Sequence, residues 1–295
     1  MEKGRIVKAI SGFFYVKSDR GLVTCRGRGV FKINDVVPLV GDRVGYRLIN
    51  DEENEGVLEK VYPRNNQLVR PPVANIDQVL AVFSIQKPSP NFVLLDRILL
   101  MAEKEELETI ICFNKADLSE TIALDPVWEL INAYRIMGYC VYVISAKDGR
   151  GIEDLRNALM DKTTVLAGSS GVGKSTIINA LFPGHGLKTG DISLKKHRGK
   201  HTTRHSEIYP AGENTWLMDS PGFSILSADD IDPICVRDYF RDISAYQSNC
   251  RFHSCVHLEE PDCAVKEAVA DGKIHQNRYA NYTGILSEIN DKRRH

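Results

Sequence analysis

The chain has 295 residues, 43% of them apolar, and a formal net charge of −1. That is the composition of an ordinary globular protein with material for two or three domains, and any polyanionic partner has to be met by local patches rather than by the whole molecule. No stretch reaches the eighteen apolar residues that a membrane span needs, and Met1-Glu2-Lys3-Gly4-Arg5 lacks the apolar centre of a signal peptide, so a cytoplasmic location without membrane contact is expected; a monomer is expected as well.

Residues 1–68 carry five short β-rich runs, at 5–7, 13–16, 21–24, 42–47 and 56–61, set apart by turn residues. Five strands in so short a stretch predict a small all-β barrel. An OB-fold leads, because Phe13, Phe14 and Tyr15 interleave with Lys17, Arg26, Arg28 and Lys32, a mixture that stacks bases and meets phosphates. The surplus of 12 Lys/Arg over 9 Asp/Glu is modest, so a barrel with core aromatics and a solvated rim stays open. Residues 64–75, with Pro71 and Pro72, read as a stiff linker.

From residue 79 strand and helix patterns alternate. Strands fall at 79–85, 109–113, 140–144 and 163–167, and helices at 94–104, 126–137, 152–160 and 174–181. Such an α/β order predicts a parallel sheet with helices on both faces. The strand at 109–113 ends in Asn114-Lys115-Ala116-Asp117. Asp117 is expected to accept from guanine N1–H and the exocyclic amine, which adenine does not present, and a buried carboxylate left unpaired rejects the wrong base by roughly 10⁴ or more. Asn114 would hold the loop and the base edge, and the Lys115 stem would lie along the ring. After the strand at 140–144, Ser145-Ala146-Lys147 would offer the Ala146 N–H to guanine O6.

The strand at 163–167 runs into Gly168-Ser169-Ser170-Gly171-Val172-Gly173-Lys174-Ser175-Thr176. This is a phosphate-cradling loop: glycines let the backbone wrap the oxygens, and N–H groups at a helix start supply positive potential. Lys174 would reach the β- and γ-phosphates, and the Ser175 hydroxyl would ligate magnesium. Residues 188–206 hold six Lys/Arg, three His and one acid, and 199–204 form the natural switch segment. Thr202 or Thr203 would ligate magnesium when γ-phosphate is present, and spacing does not choose between them. After the strand at 215–218, Asp219 would hold the magnesium's water shell and Gly222 would turn its N–H to the γ-phosphate. Phe223 stands where many GTPases carry a water-orienting glutamine. His201 is the candidate for that role, with a structural or RNA-contacting histidine equally open.

The tail carries Cys250, Cys255, His257 and Cys263, three sulfurs and an imidazole within fourteen residues. That donor set suits tetrahedral zinc with no open position, against free thiols in a compact loop, and His253 competes for the nitrogen place. Helices are expected at 238–246 and 261–271, and Tyr279, Tyr282, Leu286 and Ile289 repeat as a helical packing stripe. Arg278, Lys292, Arg293, Arg294 and His295 read as a basic end.

In this order, with the base motif ahead of the phosphate loop, the sequence resembles the circularly permuted GTPases of the RsgA (YjeQ/YloQ) type, and the resemblance covers nearly the whole chain. It implies an N-terminal OB-fold (1–68), a permuted P-loop GTPase (69–226) and a mainly α zinc-binding domain (227–295). It further implies binding to the 30S ribosomal subunit and its 16S rRNA late in maturation, with GTP hydrolysed to GDP and phosphate under subunit stimulation. A non-hydrolysing RNA-binding adaptor and an ATP-driven enzyme on the same loop are the competing readings.

Overall fold

The computed structural model describes residues 1–27, 36–68, 72–118, 127–183, 207–219 and 231–293. Five strands, β1 (Glu2–Ile10), β2 (Phe13–Ser18), β3 (Gly21–Arg26), β4 (Arg43–Asn50) and β5 (Glu55–Val61), run in the order β1-β2-β3-β5-β4. An extra β1–β4 pairing closes the ring. This is the expected five-stranded barrel. Its inward residues alternate along the strands, with Ile6, Val16, Val23, Val44, Tyr46 and Leu58 all buried.

The described residues of the stretch read as a stiff linker, 64–68 and 72–75, are instead packed structure. Here β6 (Gln67–Leu68) pairs with β7 (Val73–Ala74), Val40 bridges to Val73, and Arg64 grips the buried Asp42 through both carboxylate oxygens at 2.7 Å. The Asn66 side chain both donates to and accepts from the backbone of Ile76, so asparagine amides replace the missing strand partners.

The nucleotide-type sheet is built from β8 (Gln78–Ser84), β9 (Glu108–Asn114), β10 (Cys140–Val143), β11 (Thr163–Ala167) and β13 (Trp216–Asp219), all parallel in the order β10-β9-β8-β11-β13. Every residue of β8 and β11 is buried, as central strands covered on both faces require. Around them pack α1 (Phe92–Lys104), α2 (Val127–Ile136), α3 (Ile152–Leu159) and α4 (Lys174–Leu181). Asn91 caps α1 by accepting from the Leu94 N–H at 2.9 Å.

One further strand extends the expected parallel sheet. β12 (Glu207–Pro210) lies antiparallel to β13 and also pairs with β1 of the barrel, where Lys8 stands opposite Glu207 and bonds it at 3.1 Å. Among the described residues, barrel and parallel sheet are therefore one eleven-stranded sheet. Arg5 reinforces the joint from below: its guanidinium donates to Gly41 O, Thr163 Oγ1 and Asn75 O and lies 5.1 Å from the centre of the Trp216 ring. That burial pulls its pKa down to about 10.

In the tail, a 3-10 segment (Pro233–Tyr239) precedes α5 (Arg241–Gln247), α6 (Ala264–Ala270) and α7 (Gln276–Arg293). The helix expected from residue 261 starts three residues later, because Cys263 caps it with extended backbone. The packing stripe on α7 holds, with Tyr282, Leu286 and Ile289 buried and Tyr279 partly so. Arg278 does not belong to a basic end. It is 1% exposed, and its guanidinium pairs with Asp96 of α1 and, through two bonds, with Asp242 of α5.

Candidate functional site

The parallel strands all end at one edge, and that register gathers the sequence motifs. Asn114, the last residue of β9, is level with Ser84, the last of β8; Phe113 is level with Val143 of β10; Leu166 of β11 is level with Asp219 of β13. The chain leaves β8 toward β9 and β10 on one side and leaves β11 toward β13 on the other, so a crevice opens at their shared carboxyl edge.

Across that crevice the two key motifs touch. The Asn114 amide, 2% exposed, donates to Val172 O at 3.0 Å, and the Lys115 ammonium donates to Gly171 O at 2.7 Å and Lys87 O at 2.6 Å. Stretches nearly sixty residues apart thus form one wall. Glycine is needed at two places: a Cβ on Gly168 would collide with Val82 O, and one on Gly173 with the Asn114 amide, while both have positive φ, 136° and 97°.

Asp117 and Ser145 meet at one corner of the crevice. Ser145, fully buried, donates to Asp117 Oδ1 at 3.0 Å while accepting from the Asp148 N–H at 3.3 Å; Lys147 Nζ stands 3.6 Å from Asp117 Oδ2. The Asp117 carboxylate is therefore aimed, with lone pairs to spare. The Ala146 N–H donates to Asn114 Oδ1 at 3.1 Å, which places Ser145-Ala146-Lys147 beside the base motif.

On the phosphate side, β11 leads through Gly168, Ser169, Ser170, Gly171, Val172 and Gly173 into α4, which starts at Lys174, followed by Ser175 and Thr176 in its first turn. The Lys174 ammonium donates to Gly168 O and Ser169 O at 2.8 Å each, so it lies over the hollow of the loop. The strand β13 brings the Asp219 backbone alongside Leu166, two residues before the loop begins. His201, Thr202, Thr203, Gly222, Phe223 and the rest of 184–206 and 220–230 lie outside the described residues, as does the Asp219 side chain.

The second cluster is in the tail. Ligand atoms of Cys250, Cys255, His257 and Cys263 all lie within 4.8 Å of one another. Sulfur–sulfur distances are 3.8 and 3.9 Å, and His257 Nδ1 is 3.3–3.5 Å from all three sulfurs. Zinc at about 2.3 Å from sulfur and about 2.05 Å from nitrogen has tetrahedral edges of about 3.8 and 3.6 Å, so the four groups fit that ion. His257, fully buried and with a left-handed φ of 62°, stands in the set, whereas His253 is exposed. Burial pulls the His257 pKa down to about 4, the neutral form a ligand needs, and pushes the Cys255 thiol up to about 12, a preference a dication would invert. Cys255→Ser is expected to remove most bound zinc by elemental analysis and to make residues 231–293 sensitive to protease. Wild-type chain purified without chelator yet free of zinc would defeat that expectation.

Comparison with known proteins closes the assignment. A model described as RsgA N-terminal domain matches residues 3–58, and one described as RsgA GTPase matches residues 61–229, more than half of the chain. The chain belongs to the RsgA GTPase family. Among the relatives, a protein named small ribosomal subunit biogenesis GTPase RsgA from Caldanaerobacter subterraneus subsp. tengcongensis is 46% identical over 98% of this chain and 96% of its own length. The protein of that name from Bacillus subtilis (strain 168) is 44% identical over 99% of each chain. Two crystal structures are similar throughout. That of YloQ, a circularly permuted GTPase, has a TM-score of 0.79 at 39% identity, covering 99% of this chain and 96% of that one. That of YjeQ from Thermotoga maritima has 0.81 at 36%, covering 98% of each. The RsgA fold here is a circularly permuted GTPase, and the family makes the chain a GTP hydrolase.

Proposed function

We propose that the chain acts in biogenesis of the small ribosomal subunit, binding the 30S particle through 16S rRNA and hydrolysing GTP when docked. The observation that supports the nucleotide half is the wall formed by Asn114 on Val172 O and Lys115 on Gly171 O, which brings the two motifs together as a single base- and phosphate-binding site would require. The names of full-length relatives support the ribosomal half.

In this reading Asp117 accepts from the guanine edge, with Ser145 and Lys147 holding its carboxylate. Lys115 covers one face of the ring, and the Ala146 N–H, which here donates to Asn114 Oδ1, turns to O6 when the base is bound. The N–H groups of 169–176 and the Lys174 ammonium take the phosphate charge at the start of α4. Ser175, Asp219 and one of Thr202 and Thr203 form an oxygen-only donor set suited to magnesium, which when bound neutralises charge between the β- and γ-phosphates. His201 orients the attacking water. Zinc in the tail cluster is structural, since four protein donors leave no place for a substrate. The barrel, where exposed Phe13 stacks with Arg26 at 5.2 Å, meets RNA. The domain limits at 68 and 226, a monomeric state and a cytoplasmic location complete the proposal.

GTP turnover with and without purified 30S subunits tests it. Roughly tenfold or greater stimulation is expected, as when a missing catalytic group is positioned by a partner. Tight GTP binding with no stimulation would favour the non-hydrolysing adaptor.

A further inference from the structure

Ser84 belongs to none of the nucleotide motifs, yet it sits inside their wall. It ends β8, is fully buried, and is level with Asn114 of β9, whose carbonyl accepts from the Ile85 N–H at 2.9 Å. Its hydroxyl donates to Lys87 O at 2.8 Å. That same carbonyl is one of the two that hold the Lys115 ammonium.

We propose that Ser84 is a positioning residue for the guanine nucleotide: it fixes the Lys87 carbonyl, and through it the Lys115 stem that walls one face of the base. The inference rests on the reading of Lys115 given above. A lysine stem is flexible and loses side-chain entropy when held, so its usefulness as a wall depends on acceptors already in place. Gly171 O is fixed by the phosphate loop. Lys87 O lies in the irregular segment between β8 and α1, and the buried Ser84 hydroxyl anchors it to the end of a central strand. The Ser84 hydroxyl bonds Lys87 O, and Lys87 O meets the loop through the Lys115 ammonium, so loss of that hydroxyl is expected to leave the phosphate cradle in place. The effect therefore falls on retention of the base.

The test follows dissociation of mant-GDP from the full chain in four forms: wild type, Ser84→Ala, Lys115→Met and the double variant. One lost hydrogen bond of ordinary strength predicts a dissociation rate raised about three- to tenfold for Ser84→Ala. A larger rise is expected for Lys115→Met, and the double variant is expected to be no faster than Lys115→Met alone, since the serine then has nothing to position. Inorganic tripolyphosphate, which has no base, is expected to compete equally well against wild type and Ser84→Ala. Multiplying effects in the double variant, or weakened tripolyphosphate binding, would show a general structural role and overturn the proposal. An unchanged rate for Ser84→Ala beside a raised rate for Lys115→Met removes the positioning role alone. An unchanged rate for Lys115→Met removes the base-site reading beneath it.

Discussion

Asp117→Asn is expected to lower affinity for GDP by roughly 10²- to 10⁴-fold and to turn preference toward xanthosine diphosphate, because each charge-assisted bond lost is worth about 1.5–3 kcal/mol. The surroundings decide how an asparagine would sit. Ser145 donates to Oδ1, and that hydroxyl keeps the amide oxygen on its own side, so the NH₂ takes the place of Oδ2. An NH₂ there faces the donors of guanine but suits the 2-oxo group of xanthine. The phosphate side has no part in the change, and Lys174 remains on Gly168 O and Ser169 O. Competition of GDP and XDP against a fluorescent nucleotide measures the switch. Unaltered preference would mean that Asp117 does not read the base, as an ATP-driven enzyme on the same loop requires.

What could be read from the residues alone is what their neighbours in sequence encode. The phosphate loop and Asn114-Lys115-Ala116-Asp117 were legible because each chemistry is written in consecutive positions flanked by apolar strands. The five barrel strands were legible because β-branched and aromatic runs alternate with turn residues. β12 was not: Glu-Ile-Tyr-Pro is four residues ending in proline, and it is a strand only because β13 and β1 offer backbone partners from either side. The same limit hid the joining of barrel to sheet, which rests on Lys8 with Glu207 and on Arg5 with Thr163. The cysteine cluster was visible as a donor set with His257 as its nitrogen, and the structure keeps that choice, with His257 buried among the sulfurs and His253 exposed. Ser84 gave no signal, since a serine ending an apolar strand is commonplace until the lysine carbonyl it meets is seen.

Arg278 is the plainest case of long-range chemistry. Its two acidic partners lie 182 and 36 residues away in the chain. The guanidinium donates to Asp96 and forks onto Asp242 at 2.8 and 3.1 Å, between the rings of Tyr134 at 5.3 Å and Phe240 at 4.7 Å. Asp96 also accepts from the Tyr134 hydroxyl and the Asn281 amide at 2.6 Å each. Burial pushes the Asp96 pKa up against the pull of Arg278 and of the hydrogen bonds it accepts, and against its own burial Arg278 is held charged by the two acids. Arg278→Ala would leave both acids buried without their cation and open a cavity between two rings. The expected cost is about 3–5 kcal/mol, a large share of the 5–15 kcal/mol by which a typical domain is stable. Because α1 and α2 contribute one side and α5 and α7 the other, the loss falls on the joint between the nucleotide sheet and the cysteine-bearing tail. Arg278→Lys keeps the charge but cannot fork, and is expected to recover only part of the stability. A variant carrying Arg278→Met with Asp96→Asn and Asp242→Asn removes every buried charge together and is expected to be more stable than Arg278→Ala, because the penalty lies in the unpaired acids rather than in the missing arginine. Chemical denaturation of the four forms measures this order; equal stability of Arg278→Ala and wild type would mean that the network does not hold the tail in place.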